Sequence, residues 1–559
     1  MKFQKLTFVL FIISFLTILA LSNPIQKRDK NTLPTLELEF TISTVKKNLD
    51  KCPNYEREVI VVYPTGSDKN EAKFPAPAII AKKSQPIQIK ITNDLTESTT
   101  IHWHGLYMVG TTYSDGVPAL TQCPIQPDWF HNKSLVLLKE YQYNTTSAAT
   151  TAEPVPYSVL INGQGQGNCE FKDFDDTEPC EPEKIVESGL KFSFKDGEEH
   201  RIHVVNGGAL VEYFFSIDGH TLKVIEVEGM SVVQDKNVEL HRVPIHVSQR
   251  YTIIATRTED AKKDGITNFW MRMEANPECI RSNTECKKKK ALIKEINSRV
   301  YYGDENKEKI PTTERWSDLI LWPNNNGWSE KIGCTDLNLT ILSPKDDDQK
   351  LLDNKPYRSI PMSIIMKTRL DSKKNYTYTT IGSVYEKKLI GSKVIVYEAY
   401  GDDDNTLKEV YTKLENYSTI QDYDWNWPTT QNVFTLKDSE KSKLIEIAID
   451  SADDISHPFH LHGHAFWVVE ADGIKFKDPI KRDTATVSKY GRTRIQFTAD
   501  NAGVWAFHCH IEWHSDVGMV AQIIELPEEI NEKIKPNTKD GWYDLCQLKS
   551  APSEPIETD

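Results

Sequence analysis

A cysteine flanked by two histidines stands near the C-terminal end of the chain, in the run His-Cys-His-Ile-Glu-Trp-His that begins at His508. Successive side chains of an extended strand point to opposite faces, so His508 and His510 share one face and Cys509 points from the other. A thiolate, two histidines and a weak axial methionine form a blue-copper electron-transfer site. Cys509, His514 and Met519 supply this set except for one histidine.

The missing histidine lies upstream, in the run His-Pro-Phe-His-Leu-His-Gly-His that begins at His457. His457 completes the copper site on the cysteine side. His460 and His462 are two residues apart, so in a strand they share one face. We expect them to join His508 and His510 at a second metal site, on the opposite face from the cysteine.

A third cluster, His102-Trp103-His104, again places two imidazoles at strand spacing. A lone histidine is usually a satisfied structural residue. Here nine of the chain's fifteen histidines fall in three short patterned clusters, one of them around a cysteine. This concentration favours metal ligation over a structural role and predicts a copper protein.

Around these ligands the chain resembles the multicopper oxidases, and within them the fungal laccases and laccase-like ferroxidases. Further sequence blocks carry the resemblance across nearly the whole chain: Ser-Asp-Gly-Val-Pro at 114–118, Thr-Gln-Cys-Pro-Ile at 121–125, Ser-Val-Leu-Ile-Asn-Gly at 158–163, Phe-Ser-Ile-Asp-Gly-His at 215–220, Lys-Arg-Asp-Thr at 481–484 and Asn-Ala-Gly-Val-Trp at 501–505.

Alternating apolar and polar residues at 35–41, 87–91 and 100–104 indicate an all-β chain. The resemblance implies three tandem cupredoxin-like Greek-key β-barrel domains, of which the first is incomplete. We expect the first domain over 30–154, the second over 155–314, and the third over 315–550 with the type 1 copper site.

The resemblance also implies which histidines serve each copper ion. The type 1 site follows the residue pattern described above, with Met519 as its axial ligand. The type 2 copper would be held by His102 and His460. The binuclear type 3 pair would be held by four residues: His104, His462, His508 and His510.

Two acidic residues match family positions near the oxygen site. Asp115 lies in the Ser-Asp-Gly block, and Glu512 follows the cysteine by three residues. As carboxylates outside the ligand set they would orient water and relay protons. Glu512 as a solvated carboxylate at a strand end is the alternative. Glu212 lies near a position where the family often has an acid facing the substrate.

One family motif is missing. The family has a further His-x-His after the first histidine cluster, but between Gly105 and Lys195 this chain has only His131. The type 3 pair would then have four histidines instead of six, which makes that site doubtful. Either the sequence reflects an incomplete gene model, or the chain is a damaged or specialised member. His131 could replace one ligand, although its glycosylation sequon favours a surface loop.

The N-terminus predicts secretion. Residues 1–22 read as a signal peptide, with Lys2 and Lys5 before an apolar stretch. No other stretch predicts a membrane span. Five glycosylation sequons agree with an extracellular, soluble protein: Asn132, Asn144, Asn338, Asn375 and Asn416.

Disulfide bonds are also expected, because removing Cys509 from nine cysteines leaves an even number. The resemblance implies a bond between Cys123 and Cys546. Close spacing makes Cys169–Cys180 and Cys279–Cys286 reasonable guesses.

The leading functional hypothesis is a laccase-like oxidase that couples oxidation of phenols or aromatic amines to reduction of O2. A ferroxidase acting on Fe(II) is the alternative, and an inactive or non-enzymatic copper-binding protein is a third. The net charge of −14 argues against nucleic acid as a partner. We expect a monomer, with His514 as the exposed residue through which electrons arrive.

Overall fold

The structure is a computed structural model. It describes residues 10–11, 33–49, 56–82, 84–96, 98–118, 120–122, 159–165, 190–276, 279, 295–316, 321–324, 327–330, 334–350, 355–370, 375–382, 407–408, 410, 432–516, 518–538, 542 and 545. The predictions on His131, on the Cys123–Cys546 bond and on the Cys169–Cys180 bond therefore lie outside the described residues.

Strands dominate the described chain, so the all-β prediction is confirmed. The strands up to residue 165 are β1 (Leu10–Phe11), β2 (Leu36–Lys47), β3 (Arg57–Pro64), β4 (Ile87–Asn93), β5 (Thr100–Ile101), β6 (Leu160–Ile161) and β7 (Gln164–Gly165). Strand β2 pairs antiparallel with β3 and parallel with β4. The period-two residues that predicted these strands, such as Leu38 and Ile89, pack against a small apolar core. Strand β1 pairs with β5, and β5 leads directly into His102.

Two five-stranded sheets follow. Their strands are β8 (Lys191–Phe194), β9 (His200–Val205), β10 (Tyr213–Ile217), β11 (His220–Val227), β12 (Met230–Gln234), β13 (Arg242–Ile245), β14 (Arg250–Arg257), β15 (Asn268–Ala275), β16 (Glu295–Tyr302) and, from farther along the chain, β19 (Leu342–Pro344). The strand orders are β13-β10-β15-β16-β8 and β19-β12-β11-β14-β9. Fully buried side chains such as Ile217, Val224, Ile253 and Phe269 belong to the main hydrophobic core.

The remaining strands are β17 (Leu321–Asn324), β18 (Gly327–Glu330), β20 (Arg358–Leu370), β21 (Asn375–Gly382), β22 (Val433–Leu436), β23 (Leu444–Ser451), β24 (His457–Leu461), β25 (Phe466–Ala471), β26 (Ile474–Lys475), β27 (Lys481–Arg482), β28 (Thr484–Val487), β29 (Arg492–Thr498), β30 (Gly503–Cys509) and β31 (Val520–Glu525). One sheet has the order β21-β20-β23-β29-β25-β26, with β27 beside β25. The other, β22-β31-β30-β24-β28, carries two of the histidine clusters on its neighbouring strands β24 and β30.

Helices are short in the described part of the chain: α1 (Glu259–Lys263), α2 (Glu512–Asp516) and α3 (Pro527–Glu529), the last continued by a π-helical turn (Ile530–Ile534) and a 3-10 turn (Lys535–Asn537). Further 3-10 turns are Lys69–Glu71, Thr112–Ser114, Asp304–Asn306, Leu339–Ile341, Asp347–Gln349 and Asp438–Glu440. Glu512 therefore begins a short helix, whereas the sequence suggested a strand end. No helix of the described residues is long and apolar enough to cross a membrane.

The disulfide guess for Cys279 was wrong. Cys279 is bonded to Cys334, 55 residues further along the chain, and not to Cys286. Both bonded cysteines are buried. Proximity in sequence misled because the strand β16 lies between them in the chain while folding brings their Cα atoms to 4.9 Å.

Candidate metal centre

The pairing of β24 with β30 determines the geometry of the centre. His460 lies directly opposite His508, and Phe459 lies opposite Cys509. Because side chains alternate along each strand, this register gives two faces, one with the thiol and one with paired imidazoles.

On the cysteine face, the Sγ atom of Cys509 lies 3.5 Å from Nδ1 of His514 and 3.7 Å from Nδ1 of His457. The two Nδ1 atoms are 3.1 Å apart. All three side chains are completely buried. One sulfur and two nitrogens thus converge on one point, which is the donor set that a blue-copper ion requires.

Met519 is held beside this group by the backbone. Its N–H donates to the carbonyl of His514, and its own carbonyl accepts the N–H of Cys509. Met519 is also completely buried and belongs to the same apolar core as Cys509. These contacts keep the backbone of Met519 next to the cysteine and the histidine.

His514 differs from the expectation of an exposed residue. It is 0% exposed. It lies on α2, whose first residue, Glu512, donates its backbone N–H to the carbonyl of Ala209. The helix is thus fastened to the loop before β10, and the expected exposure of His514 is wrong.

Sequence reasoning missed a carboxylate on this face. Asp453 is buried, and its Oδ2 lies 3.1 Å from Nε2 of His457, the nitrogen that points away from the cysteine. A second missed contact comes from Ser456, whose hydroxyl donates to the carbonyl of Cys334 and so joins this face to the disulfide. The only sequence signal was position, because Asp453 and Ser456 lie four residues and one residue before His457.

On the other face the structure brings together all six histidines predicted there: His102, His104, His460, His462, His508 and His510. The imidazole centroids of His102 and His462 lie 4.0 Å apart, as do those of His104 and His460. The rings of His104 and His510 lie 5.2 Å apart. Distances of this kind allow shared metal ions between the rings.

Backbone carbonyls hold the outer nitrogens of several of these rings. Nδ1 of His102 donates to the carbonyl of Asp115, and Nδ1 of His460 donates to that of Asp483, both at 2.8 Å. Nδ1 of His508 donates to the carbonyl of Cys509 at 2.9 Å. Each of these bonds leaves Nε2 unprotonated and available as a ligand.

In the described part of the chain, inner nitrogens of four of these rings lack protein partners. Among the described residues, Nε2 of His102, His460 and His510 and both ring nitrogens of His104 are buried without a hydrogen bond. Buried polar atoms are nearly always satisfied, so converging orphaned nitrogens indicate a ligand. Nε2 of His462 and Nε2 of His508 lie 3.0 Å apart. Two nitrogens each about 2 Å from one metal ion have about this separation.

Burial keeps four of these rings neutral. It lowers the pKa of His462 to about 3 and holds the pKa values of His104, His508 and His510 well below the ordinary value. The charged form of a buried imidazole is poorly solvated, which is the cause of each shift. Neutral imidazoles are the form that binds metal ions.

Asp115 lies between two of the rings. Its Oδ2 accepts from Nδ1 of His462 at 2.8 Å, and its Oδ1 is 3.3 Å from Nδ1 of His102. Complete burial by itself would raise the pKa of Asp115, but the two imidazoles hold it below its ordinary value. Asp115 is therefore a carboxylate outside the ligand set that orients two histidines.

Asp483, in the Lys-Arg-Asp-Thr block, supports His460, and the sequence alone did not predict this role. Arg250 holds it with two hydrogen bonds of 2.6 Å. The neighbouring Arg482 is fully buried and bonds to Glu228 at 2.8 Å. Glu228 also accepts the backbone N–H of Asp483 at 2.7 Å. These bonds connect β14 and the turn after β11 to His460 through the carbonyl of Asp483.

Glu212 does not face a surface. It is completely buried, its Oε1 accepts from the amide of Asn276 at 2.8 Å, and burial raises its pKa well above the ordinary value. Its carboxylate lies close to His246 and to the disulfide. Because both cysteines there are bonded to each other, this second group is a structural contact and not a metal site.

The donor sets on both faces fit copper. A thiolate with two imidazole Nδ1 atoms suits the cysteine face, and inward Nε2 atoms suit the histidine face. The part of the first domain expected to carry the missing His-x-His, between Gln122 and Val159, lies outside the described residues.

The chain is all-β, and it combines a cysteine-centred donor set with a cluster of six histidines. This combination is typical of a copper oxidase. Multicopper oxidase family profiles match residues 68–148, 124–293 and 402–529. The chain belongs to the multicopper oxidases, oxidoreductases that use O2.

Relatives of two kinds match. Laccase-1 of Cryptococcus neoformans var. neoformans serotype D is 25% identical over 95% of this chain and 86% of that protein. The iron transport multicopper oxidase FET3 of Saccharomyces cerevisiae is 25% identical over 86% of this chain and 75% of that protein.

Solved structures show the same fold. Fet3p, described as a multicopper oxidase that functions in iron import, has a TM-score of 0.68 at 23% identity, covering 92% of this chain and 94% of its own. The laccase from Botrytis aclada has a TM-score of 0.65 at 22% identity, covering 92% of each chain. The predicted cupredoxin-like fold is thereby confirmed.

Proposed function

We propose that this chain is a secreted copper oxidase that couples one-electron oxidation of phenols or aromatic amines to the reduction of O2 to water. The observation that carries the proposal is the placement of Cys509 on one face of the β24–β30 pair and of His508 on the other. Electrons collected on the cysteine face thus have a covalent route, one peptide unit long, to the histidine face.

The ligand assignment is part of the proposal. Type 1 copper would be held by His457, Cys509, His514 and Met519. Type 2 copper would be held by His102 and His460, and the type 3 pair by His104, His462, His508 and His510. Bound copper would supply the one-electron acceptor on the cysteine face and the oxygen-reducing centre on the histidine face.

The chain's own residues would orient the ligands and supply protons. Asp115 holds the rings of His462 and His102 in the orientation that turns Nε2 inward. Reduction of O2 to water consumes protons, and Glu512 at the start of α2 is partly accessible to solvent. We assign proton relay to Glu512 and ring orientation to Asp115.

The burial of His514 supports an aromatic substrate. Because His514 is buried, the donor must give its electron across the residues that cover the cysteine face. An aromatic donor can rest on such a surface without being bound by charges. The name of the Cryptococcus relative, a laccase, supports this class of substrate.

A ferroxidase is the second candidate, and one contact favours it. Asp453 lies against Nε2 of His457, and its neighbour Asp454 is exposed. Carboxylate oxygens suit a divalent cation, and the hydrogen bond would connect that cation to the ligand. The yeast relative is named for iron transport.

A third candidate follows from the missing His-x-His. With six histidines for three copper ions, each ion on the histidine face would have only two imidazoles. Copper held so sparsely would bind weakly. The chain would then carry type 1 copper with little O2 reduction.

Purified chain, loaded with copper, separates the three candidates. The measurements are copper per chain, blue absorbance, and O2 uptake with 2,6-dimethoxyphenol or with Fe(II) as donor. Faster uptake with the phenol supports the proposal, and a ratio favouring iron by orders of magnitude supports the ferroxidase. Blue absorbance without O2 uptake supports the third candidate. Cys509→Ser is the control, since loss of the thiolate must remove the blue colour.

A further inference from the structure

The side chain of Asn501 lies buried at the turn between β29 and β30. Its Nδ2 donates two hydrogen bonds, to the carbonyl of Tyr107 at 2.6 Å and to the carbonyl of Gly463 at 2.9 Å. The side chain is 4% exposed. One amide group therefore joins three chain segments that are distant in sequence.

Each of these segments carries one histidine cluster. Tyr107 follows His104 by three residues, and Gly463 directly follows His462. Asn501 itself precedes β30, the strand that delivers His508. Because both hydrogen bonds end on backbone carbonyls, they constrain the main chain of each segment and not only a side chain.

Trp505 reinforces the connection. Its Nε1 donates to the carbonyl of Asn501 at 2.8 Å, and its ring packs closely against Gly463. A Cβ atom at 463 would meet the Trp505 ring at 2.5 Å, and φ there is +72°. Only glycine fits at position 463, so the loop after β24 can approach β30 closely only with this residue. Asn501 binds the carbonyl of the same residue.

A buried acid extends the network behind His462. Glu525 accepts the backbone N–H of Asn501 at 2.7 Å, and its other oxygen lies 3.0 Å from Nε2 of His464. Nδ1 of His464 donates to the carbonyl of His462 at 3.1 Å. The contacts of Asn501 thus continue, through a hydrogen bond to Glu525 and the ion-pair contact of Glu525 with His464, to the backbone of a candidate ligand.

We propose that Asn501 is a positioning residue that sets the distances between the three histidine clusters. The consequence of this role rests on the proposed copper-oxidase function. Copper binding on the histidine face should depend on Asn501 far more than copper binding on the cysteine face does. The reason is that the first cluster contributes only to the histidine face, and Tyr107 is its connection to Asn501.

The test variant is Asn501→Asp, which keeps the size of the side chain and removes the Nδ2 donor. Asn206 offers a matched control. It is 5% exposed, and its Nδ2 also donates to two backbone carbonyls, those of Val211 and Ile245, at 2.8 and 3.0 Å. It lies in the loop between β9 and β10, which carries no candidate ligand, so Asn206→Asp reports the general cost of this substitution.

The first readout is hydrogen exchange on the metal-free proteins. The backbone amides of Leu106 and His462 are bonded to Trp103 and Ala506 and report on the two tied segments. Asn501→Asp is expected to speed their exchange by about tenfold or more, while Asn206→Asp leaves it unchanged. Unchanged exchange at both amides in folded Asn501→Asp would overturn the positioning role, whatever the copper content.

The second readout is copper after loading. Asn501→Asp is expected to keep its blue absorbance and to lose most of the remaining copper, whereas Asn206→Asp keeps both in the wild-type ratio. Proportional loss from both faces, or the same pattern in both variants, would contradict the selective effect. If wild-type protein itself holds no copper on the histidine face, the proposed function fails there, and the exchange result still decides the role of Asn501. If Asn501→Asp does not fold, Asn501→Ser gives the same two readouts.

Discussion

Nε2 of His462 lies 3.0 Å from Nε2 of His508, and hydrogen bonds fix the orientation of both rings. The opposite nitrogen of each ring is held by an acceptor, the carboxylate of Asp115 for His462 and the carbonyl of Cys509 for His508. Both inner nitrogens therefore direct lone pairs at the same point. Without a cation between them this arrangement is repulsive.

Replacing one of these rings should accordingly stabilise the metal-free chain. We expect His508→Leu to raise its free energy of unfolding by about 1 kcal/mol while abolishing copper binding on that face. Urea unfolding of the apoprotein measures the change. His464→Leu is the comparison, because both nitrogens of that ring face protein acceptors, the carbonyl of His462 and the carboxylate of Glu525. It should destabilise the chain by about 1–3 kcal/mol. Equal destabilisation by both would refute the repulsion.

Substitutions of Asp115 and Glu512 should affect two different properties, copper affinity and the rate of O2 uptake. Asp115→Asn removes the charge that holds two rings, so copper affinity on the histidine face should fall about 10–100-fold. Glu512→Gln should leave that affinity unchanged and slow O2 uptake. Chelator competition measures the first effect and oxygen electrode traces the second. Loss of affinity in Glu512→Gln would show that it supports the ligands directly.

Asp453 should lower the reduction potential of copper bound on the cysteine face. Its negative charge against His457 favours the more highly charged, oxidised ion. Asp453→Asn should raise the potential, by about 60 mV for each tenfold change in the preference between oxidation states. Redox titration of the blue absorbance measures it. The exposed neighbour provides the control, since Asp454→Asn should change the potential much less.

His220 should make the fold sensitive to acid. Burial lowers its pKa to about 4, from 6.5 for an unfolded chain. Between these values the unfolded chain binds a proton that the folded chain does not, so stability falls as pH falls. Relative to His220→Phe, the wild type should lose about 3 kcal/mol between pH 7 and pH 4. Urea unfolding across this range measures the difference, and a difference independent of pH would contradict the shift.

At pH 7 the same variant should be the less stable protein. His220 bonds through one nitrogen to the carbonyl of Asp218 and through the other to the hydroxyl of Tyr302, and phenylalanine can make neither bond. The expected cost is about 1–3 kcal/mol. The curves of stability against pH for the two proteins should therefore converge toward acid.

The fold and the histidine clusters were predictable because their signals are local. Alternation at 35–41 and 87–91 reflects which side chains face the core of a single strand, and it reappears in β2 and β4. The spacing of His508, Cys509 and His510 likewise depends only on strand geometry.

The contacts around the clusters were not predictable because they join distant segments. Asp483 meets Arg250 across 233 residues, and Asn501 meets Tyr107 across 394. No periodicity marks such pairs. The same reason explains the wrong disulfide, since Cys286 is near Cys279 in sequence while Cys334 is near it in space. Likewise, α2, the helix that carries His514, is bonded to the loop at Ala209, which is far from it in sequence.

The Cys279–Cys334 bond encloses the four consecutive lysines at 287–290. A trypsin-like protease that cuts within this run would divide the chain without separating its parts. The later fragment would keep β16 in its sheet and remain covalently joined through Cys334. A nicked protein would thus migrate as one band on a non-reducing gel and as two after reduction. Purification could then yield a cleaved enzyme with both candidate metal faces intact.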